Sequence, residues 1–273
     1  MAVPTVTLND GAALPRLGIG VFQVPPRDTA ANVAAALELG YRHIDTARIY
    51  GNEREVGEGL RASGLPRDEV WITTKLWNDD QGRDTARGAL EASLERLGLD
   101  RVDLYLIHWP VPRQDRYVET WEALVELQRD GLTRSIGVSN FQPDNLRRAI
   151  EATGVVPAVN QIELHPYLQQ GTLVREHAEH GIVTESWSPL AQGAVLDDPV
   201  IARVAEAHGR TPAQVVVRWH LHKGFVTFPK SSSAERLREN LDALAFELTE
   251  DDLYAIDSLD QGRRVGFDPE TFG

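Results

Sequence analysis

Asp45 and Tyr50 stand five residues apart in the stretch "IDTARIYGNE" (44–53), where a short apolar run ends in turn-like residues. Two further residues of the same kind end apolar runs elsewhere, Lys75 in "VWITTKL" (70–76) and His108 in "DLYLIHW" (103–109). A free phenol titrates near pH 10 and is a poor acid at neutral pH. A neighbouring ammonium favours the phenolate and lowers that value, and a carboxylate can keep the ammonium charged and oriented. Asp45, Lys75 and Tyr50 together could therefore make a general acid that protonates an oxygen. His108 could give the same oxygen a second hydrogen bond. An oxygen that gains charge as a carbonyl is reduced needs such a site. Alone, each residue has a plainer reading. Asp45 would be a turn or capping residue, Lys75 a strand-end cation, and His108 a satisfied structural histidine.

The elements that must bring these four together can be read along the chain. Apolar or β-branched runs occur at 17–22, 42–47, 70–76, 103–109, 135–140, 158–164, 183–190 and 225–230. Helix-like stretches lie between them. In "DTARGALEASLERLG", Leu90, Leu94 and Leu97 share a face and Gly98 marks a stop. Pro143 sits where a helix would begin, and Gly154 where it would end. Eight alternations imply right-handed βαβ units and a parallel sheet. The 273 residues fit a (β/α)8 barrel, which needs about 250. A doubly wound sheet is the competitor, but "GIGVFQ" carries only half of the dinucleotide-binding glycine fingerprint. An Asp10-Gly11 turn predicts a β-hairpin ahead of the first barrel strand. Extra helices are expected at 233–244 and 249–259. The expectation is an α/β protein with one (β/α)8 domain spanning 1–273.

In such a barrel, chemistry lies at the C-terminal ends of the strands. Polar residues fall there repeatedly: Asp45, Lys75, His108-Trp109, Ser139-Asn140, Gln161, Trp187-Ser188 and Lys230-Ser231. Their convergence on one mouth outweighs the plain reading of each.

Composition narrows the partners. A net charge of −13 and no basic run argue against nucleic acid, whose binders need a basic footprint. There is no cysteine, which removes disulfides and thiolate sites. No apolar run reaches 18 residues, so no membrane span is expected, and no secretory signal is visible. The expectation is a cytoplasmic monomer acting on a small molecule, with no metal.

With those motifs in place, the chain resembles the aldo-keto reductases over nearly its whole length. The matching motifs are "GYRHIDTARIYGNE", "ITTKLW", "DLYLIHWP", "SIGVSN", "NQIELHP" and "FPKSSSAERLRENL". It is most similar to the bacterial 2,5-diketo-D-gluconate reductases. The resemblance implies reduction of aldehydes or ketones with NADPH/NADP+, with diketo-sugar acids as possible substrates. It implies that Asp45, Tyr50, Lys75 and His108 form the catalytic tetrad, Tyr50 being the proton donor. Ser139, Asn140 and Gln161 correspond to contacts of the nicotinamide carboxamide, and Trp187 to an aromatic that stacks on its ring. Ser188, Leu190, Gln192 and Gly193 correspond to the pyrophosphate wrap. Lys230, Ser231, Ser232, Arg236, Glu239 and Asn240 correspond to the adenosine end. Phe22, Trp77, His108 and Trp109 correspond to the substrate pocket. Ser232-Ser233 stands where the resembled reductases often carry a base. Arg48 falls where a small or apolar residue is expected, and reads as a solvated arginine.

Other chemistries are less well served. A glycosidase needs two carboxylates about 5 to 9 Å apart. Glu163 and Glu185 are available, but the strand ending in His108 offers no acid. A Schiff-base enzyme could use Lys75 as nucleophile. The pairs in "HAEH" (177–180) and "HLH" (220–222) lack a third metal ligand and read as helix-surface histidines. A non-catalytic cofactor sensor of the same family would not need the four tetrad residues intact.

Overall fold

The computed structural model describes residues 3–273. A hairpin comes first. β1 (Thr5–Thr7) pairs antiparallel with β2 (Ala13–Pro15), and the turn carries Gly11 at a φ of 85°. Eight parallel strands follow in chain order: β3 (Ile19–Gly20), β4 (His43–Asp45), β5 (Trp71–Leu76), β6 (Val102–Ile107), β7 (Thr133–Ser139), β8 (Val159–Glu163), β9 (Val183–Trp187) and β10 (Val226–Thr227). Each pairs with the next. The ring closes where Gly18 N–H donates to Thr227 O at 3.0 Å and Thr227 N–H donates to Arg16 O at 3.0 Å. A side chain at Gly18 would meet the His43 carbonyl at 2.8 Å, so the seam needs glycine.

Helices cover the outside. They are α1 (Pro26–Leu39), α2 (Glu53–Ser63), α3 (Arg83–Leu97), α4 (Tyr117–Arg129), α5 (Pro143–Thr153), α6 (Gly171–His180), α7 (Pro199–His208), α8 (Pro212–His222), α9 (Ala234–Leu241) and α10 (Glu250–Asp257). The predicted signals operate: α3 stops at Gly98 with φ 67°, and α5 starts at Pro143 behind a Gln142–Asn145 capping box. Both β3 and β10 are shorter than their apolar runs. The run at 183–190 also outlasts its strand, and residues 188–190 form a turn.

Strand alternation decides which side chains enter the barrel. Successive side chains point to opposite faces. Ile72, Leu76, Tyr105, Ile107, Ile136, Val138 and Ile162 belong to the layer between strands and helices. Trp71, Leu104, Leu106, Val159 and Val226 join a second cluster with Leu8 and Leu14 of the hairpin. That cluster is the barrel interior, which the hairpin plugs at the N-terminal ends of the strands. The inward parity then continues upward to Asp45 on β4, Lys75 on β5, His108 after β6, Ser139 on β7, Gln161 on β8, and Glu185 and Trp187 on β9. Apolar layers fill the lower barrel, and polar groups take the same parity at the top.

Two histidines correct the sequence reading. His177 and His220 are fully buried, while His180 and His222 are exposed. His177 shares a helix face with buried Leu173, four residues before it, and meets Thr184 Oγ1 at 2.8 Å and Asn160 Nδ2 at 2.9 Å. Burial lowers both ring values to about 4, so both are neutral at physiological pH. Among the described residues no group of three or more His, Cys, Asp or Glu could hold a metal. No helix there is long and apolar enough to cross a membrane.

Candidate active site

Lys75 is fully buried, and its ammonium is surrounded by acceptors. It donates to Asp45 Oδ1 at 2.7 Å, Asp45 Oδ2 at 2.8 Å and the Thr46 carbonyl at 2.9 Å, and reaches Tyr50 Oη at 3.5 Å. Tyr50 lies on a short 3-10 turn (Arg48–Tyr50) directly after β4, and Gly51 follows it at φ 67°. That turn folds the phenol back over the end of β5. The carboxylate, ammonium and phenol expected from spacing therefore do meet.

Burial alone would depress the Lys75 ammonium. Asp45 and Tyr50, with a smaller part from Glu185, together outweigh it, and the group stands above its ordinary 10.5. Tyr50 differs from the expectation. Burial raises its value, Lys75 pulls it down, Asp45 raises it again, and the sum lies above 10. The ammonium softens the effect of burial without overcoming it. Tyr50 is thus protonated across the neutral range. The His108 ring is pushed well below 6.5 by burial and then by Lys75, so it is neutral. Its ring lies edge-on to Tyr50, with centroids 5.8 Å apart.

Aromatic rings line the space above these groups. Phe22 packs on Tyr50 at 5.0 Å between centroids, and Trp77 on His108 at 5.2 Å. Trp109 approaches Trp187 at 6.3 Å. The sequence reading missed one wall. Phe272, next to the C-terminus, lies 4.5 Å from Trp109 and 6.4 Å from Trp77. The tail reaches this place because both carboxylate oxygens of buried Glu163 accept backbone N–H groups, from Val265 at 2.6 Å and Gly266 at 3.1 Å. No local pattern announces this contact between residues about a hundred positions apart.

The residues that the family resemblance ties to a cofactor fall into two groups. Near the tetrad, Ser139 Oγ donates to the Gln161 carbonyl at 2.7 Å, Asn140 Nδ2 donates to the His108 carbonyl at 3.0 Å, and the Trp187 indole N–H donates to Asn140 Oδ1 at 2.9 Å. Ser188, Ala191 and Gln192 have φ of 48°, 47° and 54°, and Gly193 has 98°. Non-glycine residues in this region cost on the order of 1 kcal/mol or more each and gather at ligand clamps. Leu190 lies in the same turn and is half-buried.

The second group surrounds the start of α9. Lys230, Ser232 and Arg236 are exposed, and Ser231 is buried. Ser231 Oγ accepts the Ser233 N–H at 3.1 Å, and Asn32 Nδ2 donates to the Ser231 carbonyl at 2.9 Å. No side chain caps α9, so its first-turn N–H groups remain available to an anion. Asn240 is buried on the same helix. The Glu239 carboxylate on the same helix accepts from the Thr211 hydroxyl at 2.5 Å. Arg48 is not freely solvated: it pairs with Asp80 at 3.1 Å.

The fold and its polar mouth define a (β/α)8 barrel enzyme of the oxidoreductase class. The model of the Aldo/keto reductase family matches residues 15–261, and the chain belongs to that family. An aldo-keto reductase of Mycolicibacterium smegmatis is 54% identical over 269 residues, covering 98% of each chain. Methylglyoxal reductase DkgA of Escherichia coli K12 is 52% identical over 276 residues, covering 100% of each. Among solved structures, a mutant of Gox0644 in complex with NADPH is 51% identical with a TM-score of 0.96, again over 100% of both chains.

Proposed function

We propose that this chain reduces aldehyde or ketone carbonyls to alcohols, with NADPH as the coenzyme and Tyr50 as the proton donor. One observation carries the reading: a fully buried Lys75 bridges Asp45 and Tyr50 at the C-terminal mouth, beside neutral His108. Bound NADPH would supply the hydride. Tyr50 holds the proton at neutral pH and gives it to the carbonyl oxygen. Lys75 eases that transfer, because its charge stabilises the phenolate left behind. Asp45 keeps the ammonium in place. Neutral His108 donates one N–H to the same oxygen, and the aromatic walls keep water from the reacting centre.

The residues present suit a dinucleotide phosphate. Ser139, Asn140 and Gln161 offer amide and hydroxyl groups beside the tetrad for the carboxamide, with Trp187 beneath the ring. The left-handed turn with Ser188, Leu190, Gln192 and Gly193 would hold the pyrophosphate. The open start of α9 with Lys230, Ser231, Ser232 and Arg236 would take the adenosine phosphate, Asn240 and Glu239 lying further along the helix. DkgA and the Gox0644 complex, so similar over their full lengths, support this assignment.

Phe22, Trp77, Trp109 and Phe272 would form the substrate walls. Small aldehydes and dicarbonyls such as methylglyoxal suit them, and diketo-sugar acids such as 2,5-diketo-D-gluconate are the finer candidate. The working unit we propose is one domain, monomeric and cytoplasmic. The test is loss of NADPH absorbance with a panel of aldehydes, dicarbonyls and keto-sugar acids. No turnover of NADPH with any of them would overturn the reading.

A further inference from the structure

Gln161 Nε2 is the crossing point of a buried polar chain. It donates to Asp45 Oδ2 at 2.9 Å and to Glu185 Oε2 at 2.8 Å. All three side chains are buried: Glu185 0%, Gln161 2% and Asp45 4% exposed. A primary amide has two N–H groups, and here both are committed. Turned the other way, the amide would set its oxygen against the Asp45 carboxylate and give up both N–H donations. Its orientation is therefore set by its neighbours. What remains is Oε1, which takes no hydrogen bond from the described residues and is not sealed from solvent.

Among the described residues Glu185 has no other hydrogen-bonding partner. Its Oε1 is buried and unpaired, and Oε2 meets only Gln161. An apolar side chain of similar size would fill this part of the barrel without the cost of desolvating a carboxyl group. Asp45 alone could satisfy one amide hydrogen but would leave the other unpaired. Burial and the charge of Asp45 push the Glu185 carboxyl up to about 8, so near pH 7 it carries a proton. With that proton on the free Oε1, Oε2 stays an acceptor for Gln161.

We propose that Glu185 is a positioning residue: together with Asp45 it fixes the amide of Gln161 so that Oε1 faces the barrel mouth as an acceptor for the carboxamide N–H of the nicotinamide. The inference rests on the NADPH reading above. It adds that recognition at Gln161 is by acceptance alone, and that a residue remote from the ligand sets it.

The test compares NADPH with its reduced 3-acetylpyridine analogue, in which a methyl group replaces the carboxamide NH2. The carbonyl is kept and the donor is lost. Dissociation constants are measured for wild type, Glu185→Leu and Glu185→Gln. A neutral hydrogen bond contributes about 0.5–1.5 kcal/mol, so wild type should prefer NADPH by about 2- to 12-fold on this account. Glu185→Leu should weaken NADPH and spare the analogue, bringing the ratio towards one. Glu185→Gln still offers an oxygen to Gln161 and should keep the ratio. Gln161→Met should lose it as Glu185→Leu does, and the double variant should show no further loss. If Glu185→Leu folds poorly, Glu185→Ala takes its place in the cycle, with the same loss of preference expected. Equal weakening of both ligands in Glu185→Leu, or no preference in wild type, overturns the proposal. Failure of wild type to bind NADPH at all would instead remove the coenzyme reading.

Discussion

Both carboxylate oxygens of Asp45 lie within 2.8 Å of the Lys75 ammonium, while the phenol oxygen of Tyr50 stands at 3.5 Å. The ammonium is held firmly by the carboxylate and only loosely by the phenol. Its positive charge, fixed there by Asp45, is in place to stabilise the phenolate as it forms. Lys75→Met removes that charge and leaves Asp45 buried without its cation. Burial then acts on Tyr50 unopposed and its pKa rises further. We expect carbonyl reduction to fall by about 10²- to 10⁴-fold at neutral pH, the range general acid catalysis supplies. Circular dichroism checks that the variant is folded. A pH–rate profile unchanged in height and shape would make Lys75 purely structural.

Tyr50→Phe isolates the proton. The ring stays against Phe22 and His108, and the groups proposed to hold the coenzyme are untouched. NADPH affinity should change little, whereas turnover of a poorly activated ketone should drop by about 10²- to 10⁴-fold. Titration of tryptophan fluorescence with NADPH measures the first, and coenzyme absorbance the second. Near wild-type turnover would move the acid elsewhere.

Glu185 should leave its mark on stability. Its carboxyl titrates at about 8 in the folded chain against an ordinary 4.5, first because of burial and then because of Asp45. Between these values the folded chain holds a proton that the unfolded chain has released. Stability therefore falls as pH rises through the window, by at most about 1.4 kcal/mol per pH unit from this group. Glu185→Gln lacks the term. Its stability relative to wild type should rise from about pH 5 to about pH 8, as urea unfolding at several pH values would show. A constant difference would mean that the carboxyl is already ionised in the fold.

One helix crossing permits a prediction free of any functional reading. A Cβ at Gly57 in α2 would lie 1.9 Å from the Leu97 carbonyl at the end of α3. Backbone cannot yield as a flexible side chain can. Gly57→Ala should cost about 1–3 kcal/mol or more, despite alanine's better helix propensity. Thermal or urea unfolding checks it. Unchanged stability would mean that the two helices move apart freely.

Much of this was legible because it is local. Asp45, Lys75, His108, Ser139 and Trp187 each end an apolar run, and strand alternation turns that pattern into a shared mouth. The rest joins residues that no window contains. Gln161 meets Asp45 across 116 positions, and Glu163 meets Val265 across 102. Inward parity with Val183 and Trp187 was the available sign that Glu185 enters the barrel. For His177 the telling sign is its spacing from Leu173, four residues away on the packed face, and not the metal-like look of its motif. The direction of the Tyr50 shift depends on how deeply the phenol is buried, which no spacing reveals.

The coenzyme preference follows from charge placement. At a net −13, the protein should repel a polyanion, so NADPH needs local cations. Lys230 and Arg236 are both exposed beside the uncapped start of α9, which Asn32 and Tyr41 tie to the body through the Ser231 and Leu237 carbonyls. The loop is thus fixed while its cations stay free. A hydrogen bond to a charged group contributes about 1.5–3 kcal/mol, so one good contact to the 2′-phosphate favours NADPH over NADH by about 10- to 150-fold. We expect at least a tenfold preference that weakens as salt rises. Arg236→Ala should damage use of NADPH and barely touch that of NADH, which lacks the phosphate. Steady-state kinetics with both coenzymes decide it. Equal damage to the two would assign Arg236 to the fold or to the part of the coenzyme they share.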